Sequence, residues 1–109
     1  MTDSLPLPVE IVSQPAQLGV VVSELVGSHT IALDTESNSF YHYPEQLCLI
    51  QIASGHKVYI IDTITIDDLT PLKGVLADAS IEKIVHAADY DIRSLDRHCG
   101  LHIHNLFDT

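Results

Sequence analysis

Residues 47–53 read Leu47-Cys48-Leu49-Ile50-Gln51-Ile52-Ala53, with Gln51 the one polar side chain in the run. A run this short and this apolar predicts a strand buried on both faces. Ser54-Gly55-His56 then has turn composition, and residues 57–62 resume a strand pattern with Val58, Tyr59, Ile60 and Ile61. Two strands joined by so short a link must run antiparallel, because a parallel return needs about a dozen residues or more. The centre of the chain therefore demands a sheet.

The flanking segments set the class of sheet. Pro6 and Pro8 stiffen an extended lead-in over residues 1–14, where Val9, Ile11 and Val12 predict a short edge strand. Residues 13–27 predict a helix. Pro15 suits a first turn, Leu18, Val21, Val22 and Leu25 recur at helical spacing, and Gly27 is placed to stop it. Residues 30–36 predict a strand with Ile31 and Leu33 on one face and Ala32, Asp34 and Glu36 on the other. Residues 37–45 hold Ser, Asn, Pro and three aromatic residues and predict a loop. A short helix is predicted over 67–77, a strand over 82–86, a third helix over 89–98 stopped near Gly100, and a last strand from His102 to Phe107. Helix, three strands, helix, strand, helix, strand is an α/β layered domain with a mixed sheet.

Composition narrows what such a domain does. The 109 residues are 46% apolar and 18% charged, which excludes a disordered tail, and they suffice for one domain. Mean hydropathy is +0.21, high for a small soluble domain, so either the core is large for the length or some apolar surface is expected to meet a partner. Fifteen acids against five Lys and Arg give a net charge of −10, so net charge does not draw this chain to nucleic acid. Carboxylates that hold Mg²⁺ would count in that same sum. Cys48 and Cys99 are too few for a disulfide framework and suit a reducing compartment. The first residues lack a signal-peptide pattern and no apolar run approaches the roughly 20 residues of a membrane span, so a cytoplasmic location is expected.

Asp34-Thr35-Glu36 puts two carboxylates on one strand face with Cα atoms about 6–7 Å apart. They repel unless a cation stands between them, and a hard divalent ion is the usual solution. An isolated Asp-x-Glu is more often a strand end whose acids face water. A second acidic feature alters that balance. His86-Ala87-Ala88-Asp89-Tyr90-Asp91 opens the third helix, where acids are also favoured by the helix dipole. In a layered domain this helix start can lie beside the end of the Asp34 strand and bring a third carboxylate.

These features, taken in order, resemble the ribonuclease D group of DEDD-type 3′–5′ exonucleases, within the ribonuclease H-like superfamily. The resemblance runs from about residue 16 to Thr109. It rests on Ile31-Ala32-Leu33-Asp34-Thr35-Glu36, Tyr43-Pro44, the 47–53 run, Tyr59-Ile60-Ile61-Asp62, Lys83-Ile84-Val85-His86-Ala87 and Asn105-Leu106-Phe107-Asp108-Thr109. It implies a mixed sheet with the second strand antiparallel to the rest, flanked by helices. It also implies hydrolysis of RNA or DNA from the 3′ end with two Mg²⁺ or Mn²⁺ ions. Asp34 and Glu36 match the first exonuclease motif and Asp91 the second, so these three are the implied catalytic and metal-binding residues, expected together at one end of the sheet. Asp89 is then a helix-terminal acid. The family's third motif, Tyr-x-x-x-Asp or His-x-x-x-x-Asp, lies beyond the stretch matched by Asn105 to Thr109. Residues 1–109 are thus expected to be a single partial domain, C-terminally truncated, with weak activity or none alone.

Other side chains invite weighing. Thr35, Phe40, Tyr41 and His86 are candidate substrate contacts. Loop aromatics stack on bases in single-strand binders, but more often they cover a core edge. His86 reads better as a hydrogen-bonded strand-end histidine than as a base. His98, Cys99, His102 and His104 offer zinc-type ligands in no familiar zinc spacing, with Cys99 on the apolar side of its helix. Lys57, Lys73, Lys83, Arg93 and Arg97 form no basic stripe. The competing reading is a non-catalytic domain on an exonuclease fold, binding nucleic acid or protein. Single-stranded 3′ ends are the expected partners, with a homo-oligomer formed through a sheet face left uncovered.

Overall fold

The computed structural model of the chain describes residues 7–38, 46–86 and 88–109. Phe40, Tyr41 and Tyr43, and the side chains at 38, 46, 47, 88–90 and 98, lie outside that description.

A six-stranded sheet forms the frame, in the order β1-β4-β3-β2-β5-β6. Its strands are β1 (Val9–Val12), β2 (Thr30–Asn38), β3 (Gln46–Ala53), β4 (Val58–Asp62), β5 (Glu82–Val85) and β6 (Leu106–Asp108). Only β3 opposes its neighbours, pairing antiparallel with both β2 and β4. The β1–β4, β2–β5 and β5–β6 pairs are parallel. Ser54 closes the β3–β4 hairpin, its hydroxyl accepting from the N–H groups of His56 and Lys57, both at 3.1 Å. The predicted edge strand is at the edge, paired with β4.

Helix α1 (Pro15–Leu25) begins on its proline and buries Leu18, Val21 and Leu25. Gln17 anchors its start, with Oε1 accepting from the N–H groups of Ser13 and Gln14 at 3.0 Å. The helix predicted over 67–77 is shorter than expected: a 3₁₀ turn (Thr70–Leu72) runs into α2 (Lys73–Ala77). Asp68 is held outside it because its carboxylate accepts the Thr70 N–H at 3.0 Å, a local bond that competes with helix. Helix α3 (Ala88–Cys99) ends at Gly100, whose φ of 65° is a left-handed conformation that costs other residues about 1–2 kcal/mol.

Strand alternation decides where the core sits. On β2 the buried residues are Ile31, Leu33 and Thr35; on β3, Ile50 and Ile52; on β4, Tyr59 and Ile61; on β5, Lys83 and Val85. The same cluster takes in Leu18, Val21 and Leu25 of α1, Val75 and Leu76 of α2, and Leu95 of α3. Truncating any one of these large aliphatic side chains to alanine would cost about 2–5 kcal/mol.

The opposite face differs from the sequence expectation. Strand β3 is not buried on both sides: Gln51 is exposed, and Leu49 and Ala53 are only partly covered. The register lines up a row across all six strands there, Val9 beside Val58, then Ala53, Ala32, Ile84 and Phe107. Among the described residues little covers this row, and Val9 and Phe107 are 58% and 54% exposed. The run in 47–53 was apolar enough for a doubly covered strand, but its second cover is not among these residues.

The last strand is also shorter than predicted. Residues 102–105 leave the ladder because the His104 N–H bonds the Leu76 carbonyl at 2.9 Å and Asn105 turns with a φ of 61°. Lys83, read from sequence as one of the scattered bases, is fully buried. Its Nζ donates to the carbonyls of Asp78 at 2.5 Å and His104 at 3.0 Å, so it is an internal staple.

Candidate active site

Strand β2 carries the first two candidate ligands past the core. Period-2 geometry sends Asp34 and Glu36 to the open face, both exposed, and Thr35 to the covered face, 7% exposed. The β2–β3 register shifts between Glu36 and Ser37, a bulge at the end of the acidic segment. Bulges bend a strand and re-aim its side chains. The Asp34 carboxylate Oδ1 accepts the Thr35 backbone N–H at 3.0 Å.

Asp91 arrives from α3, which contacts β2 and β3. It is 4% exposed, and its Oδ1 accepts a hydrogen bond from the Thr35 hydroxyl. Burial pushes the Asp91 carboxyl above the usual carboxylate range; the Thr35 hydroxyl opposes that, and the Asp34 charge raises it further. A carboxylate feels a like charge in this way when the two are near neighbours. The structure therefore brings Asp91 to β2, with Asp34 in electrostatic reach. Glu36 shares the Asp34 face one pleat further on. Among the described residues, no three His, Cys, Asp or Glu side chains stand close enough to hold a metal ion together.

Of the candidate substrate contacts, Phe40 and Tyr41 lie outside the described residues. Thr35 turns its side chain to the covered face, where its hydroxyl is engaged by Asp91. His86 is exposed past the end of β5, with Nδ1 3.2 Å from the Thr109 hydroxyl. Since β2, β5 and β6 are parallel, His86 and Thr109 lie at the same end of the sheet as Asp34 and Glu36. In the His98–His104 segment, Cys99 packs against the core and burial pushes its thiol pKa up, away from the thiolate a metal needs. His102 instead faces Asp96, at 3.6 Å.

Sequence reasoning missed the link from Thr35 to Asp91. A signal was present: Thr35 follows Ile31 and Leu33 on the core face, and a buried hydroxyl needs a partner. Nothing local identifies that partner, which lies 56 residues away.

A mostly parallel sheet with one reversed strand, and acids where a strand end meets a helix start, define a ribonuclease H-like nuclease fold. Comparison with known proteins gives the family. The 3'-5' exonuclease family model matches residues 9–109, and the chain belongs to that family. It is 38% identical over 100 residues to the exosome complex component 10 homolog of Drosophila melanogaster, covering 91% of this chain and 11% of that protein. It is equally identical, over 100 residues, to ribonuclease D of Desulfotalea psychrophila, covering 91% of this chain and 27% of the relative. Among solved structures, the catalytic core of RRP6 from Trypanosoma brucei superposes with a TM-score of 0.90 at 32% identity, over 98% of this chain and 30% of that one. Escherichia coli RNase D, described as an exoribonuclease involved in structured RNA processing, gives 0.84 at 31% identity, over 95% and 27%. The chain thus spans less than a third of each of these relatives.

Proposed function

We propose that this chain supplies the strand-borne and helix-borne carboxylates of a 3′–5′ exonuclease site that removes nucleotides from the 3′ end of RNA. The observation that carries this reading is a buried Asp91 brought to the Asp34-Thr35-Glu36 strand, in a chain of the exonuclease family. RNA is favoured over DNA because relatives on both comparisons are named as ribonucleases.

The donor type suits a hard divalent cation, although the three carboxylates do not stand together as a ligand cluster in this structure. All three candidate ligands offer carboxylate oxygens, and Asp34 and Asp91 repel in a way that a cation between them would relieve. Asp34, Glu36 and Asp91 would hold Mg²⁺ or Mn²⁺. When bound, two such ions lower the pKa of a water and neutralise charge on the phosphate and the leaving 3′ oxygen. The chain's own contribution is placement. Strand β2 fixes the spacing of Asp34 and Glu36, and Thr35 holds Asp91 against that strand. His86 and Thr109 present polar atoms at the same end of the sheet, where a phosphate or ribose would lie. Products would be nucleoside 5′-monophosphates.

The test is a Mg²⁺/Mn²⁺ trimming assay on 5′-labelled single-stranded RNA and DNA, using this chain and a version joined to the segment that follows the match in Desulfotalea psychrophila ribonuclease D. Stepwise shortening by the joined protein, lost in Asp34→Ala, is the expected result, with little from the 109 residues alone. RNA binding without trimming by the joined protein would favour the non-catalytic reading.

A further inference from the structure

We propose that the free edge of β1 is a strand-addition site for an extended peptide of another protein, with apolar residues on either side of a Lys or Arg.

The ladder fixes which backbone groups of β1 are open. The Val58 N–H donates to the Pro8 carbonyl at 2.9 Å, and Glu10 and Val12 stand opposite Tyr59 and Ile61. In a parallel pair, alternate residues turn both backbone groups to the neighbour, so Pro8, Glu10 and Val12 face β4. Val9 and Ile11 therefore turn theirs outward, at the edge of the sheet. Gln17 Nε2 donates to the Ile11 carbonyl at 3.2 Å. Among the described residues, the Val9 N–H, the Val9 carbonyl and the Ile11 N–H have no strand beside them. The side chains agree: Val9 and Ile11 are 58% and 57% exposed, and Leu7 before them is 41%. Edge strands are commonly guarded by lysine, proline or a bulge. None guards this one. The β1–β4 register is unbroken, Pro8 turns its missing donor to β4 rather than to the edge, and the one charge, Glu10, turns to the helix face. The opposite edge strand, β6, is only 3 residues long and ends on Asp108.

Charge decides the occupant. Lys57 Nζ lies 3.1 Å from Glu10 and 3.7 Å from Glu24, so two carboxylates share one ammonium. An antiparallel strand with apolar residues opposite Ile11 and Val9 places the residue between them opposite Glu10. That is the non-hydrogen-bonded pair, where side chains come closest. A Lys or Arg there balances the second carboxylate. A second β1 would instead bring another Glu10 to this face, along with a net charge of −10. The open backbone groups of Val9 and Ile11 supply the main-chain bonds of such an addition, and their side chains supply its apolar contacts. Gln17, on the Ile11 carbonyl, marks where the pairing ends.

The experiment titrates the end-blocked peptide Thr-Val-Lys-Ile-Thr into the isotope-labelled chain and reads amide exchange with solvent by NMR. At millimolar peptide, exchange at Val9 and Ile11 is expected to slow, with Glu10 and Val12, already turned to β4, unchanged. The peptide Thr-Val-Glu-Ile-Thr is expected to bind about fivefold more weakly, and Glu10→Lys is expected to invert that preference. Val9→Pro removes an outward N–H that β4 does not use and is expected to abolish the protection. Should Val9→Pro not fold, the peptide with an N-methylated isoleucine takes its place against the parent chain, with the same expected loss. Equal binding of the Lys and Glu peptides, shifts confined to the row from Ile84 to Phe107, or no change at Val9 and Ile11 overturns the proposal. Protection of Val9 and Ile11 in the chain alone, lost on dilution, also overturns it and assigns the edge to a second copy.

Discussion

Asp91 is a carboxylate held where ionisation is disfavoured. Its carboxylate is nearly buried, and both burial and the Asp34 charge act against its ionised form. Asn at this position keeps an oxygen for the Thr35 hydroxyl and removes the repulsion. Asp91→Asn is therefore expected to raise stability in EDTA by about 1 kcal/mol, the usual gain when a functional group held at a cost is neutralised. The same variant is expected to lose any rise in melting temperature on adding Mn²⁺. Differential scanning calorimetry with and without the ion reads both effects. A variant less stable than the parent in EDTA would mean that Asp91 is a structural acid.

Between elements, Lys83 connects three segments. From β5 it reaches the turn after α2 at Asp78 and the segment before β6 at His104. Removing the ammonium leaves the His104 carbonyl without that donor and the Asp78 carbonyl with only the Ile81 N–H, so Lys83→Met is expected to cost about 2 kcal/mol in urea unfolding. Burial lowers the Lys83 pKa, with the Asp78 charge opposing. The unfolded chain then binds more protons, so this residue makes stability rise with pH between its lowered pKa and the ordinary lysine value of about 10.4. Tyr59 and Lys57 act in the opposite sense at higher pH, since burial raises the Tyr59 pKa and the Glu10 carboxylate raises that of Lys57. Below about pH 9, where those two have barely begun to titrate in either state, Lys83→Met is expected to flatten the rise. An unchanged slope would mean that the Lys83 pKa is ordinary.

At the scale of the molecule, the helices' buried side chains join the core on one face, while the row from Val9 to Phe107 on the other is only partly covered by the described residues. Apolar surface left in water costs roughly 25 cal/mol per Å², so a partner that covers such a row gains several kcal/mol over a few hundred Å². The net charge of −10 opposes a second copy, but salt screens it beyond about 8 Å at 0.15 M. The chain is expected to self-associate through this face at micromolar concentration, more strongly as salt rises, and Phe107→Lys with Ile84→Lys should return it to monomer. Sedimentation equilibrium measures this. A parent chain that sediments as a monomer and binds no hydrophobic dye would show that the row needs no cover.

The short-range pattern of the chain was enough to place the hairpin, the order of elements and the faces of β2. Strand alternation and helix starts are set by neighbours a few residues apart, and that information is local. Tertiary structure alone decided that Thr35 and Asp91 pair, that Gln51 stays exposed, and that Lys83 lies inside. The alternation Ile81, Lys83, Val85 points Lys83 inward, but nothing local shows that a buried ammonium would be satisfied. It is tolerated because two carbonyls, 5 and 21 residues away in sequence, converge on it, and only the folded chain brings them there.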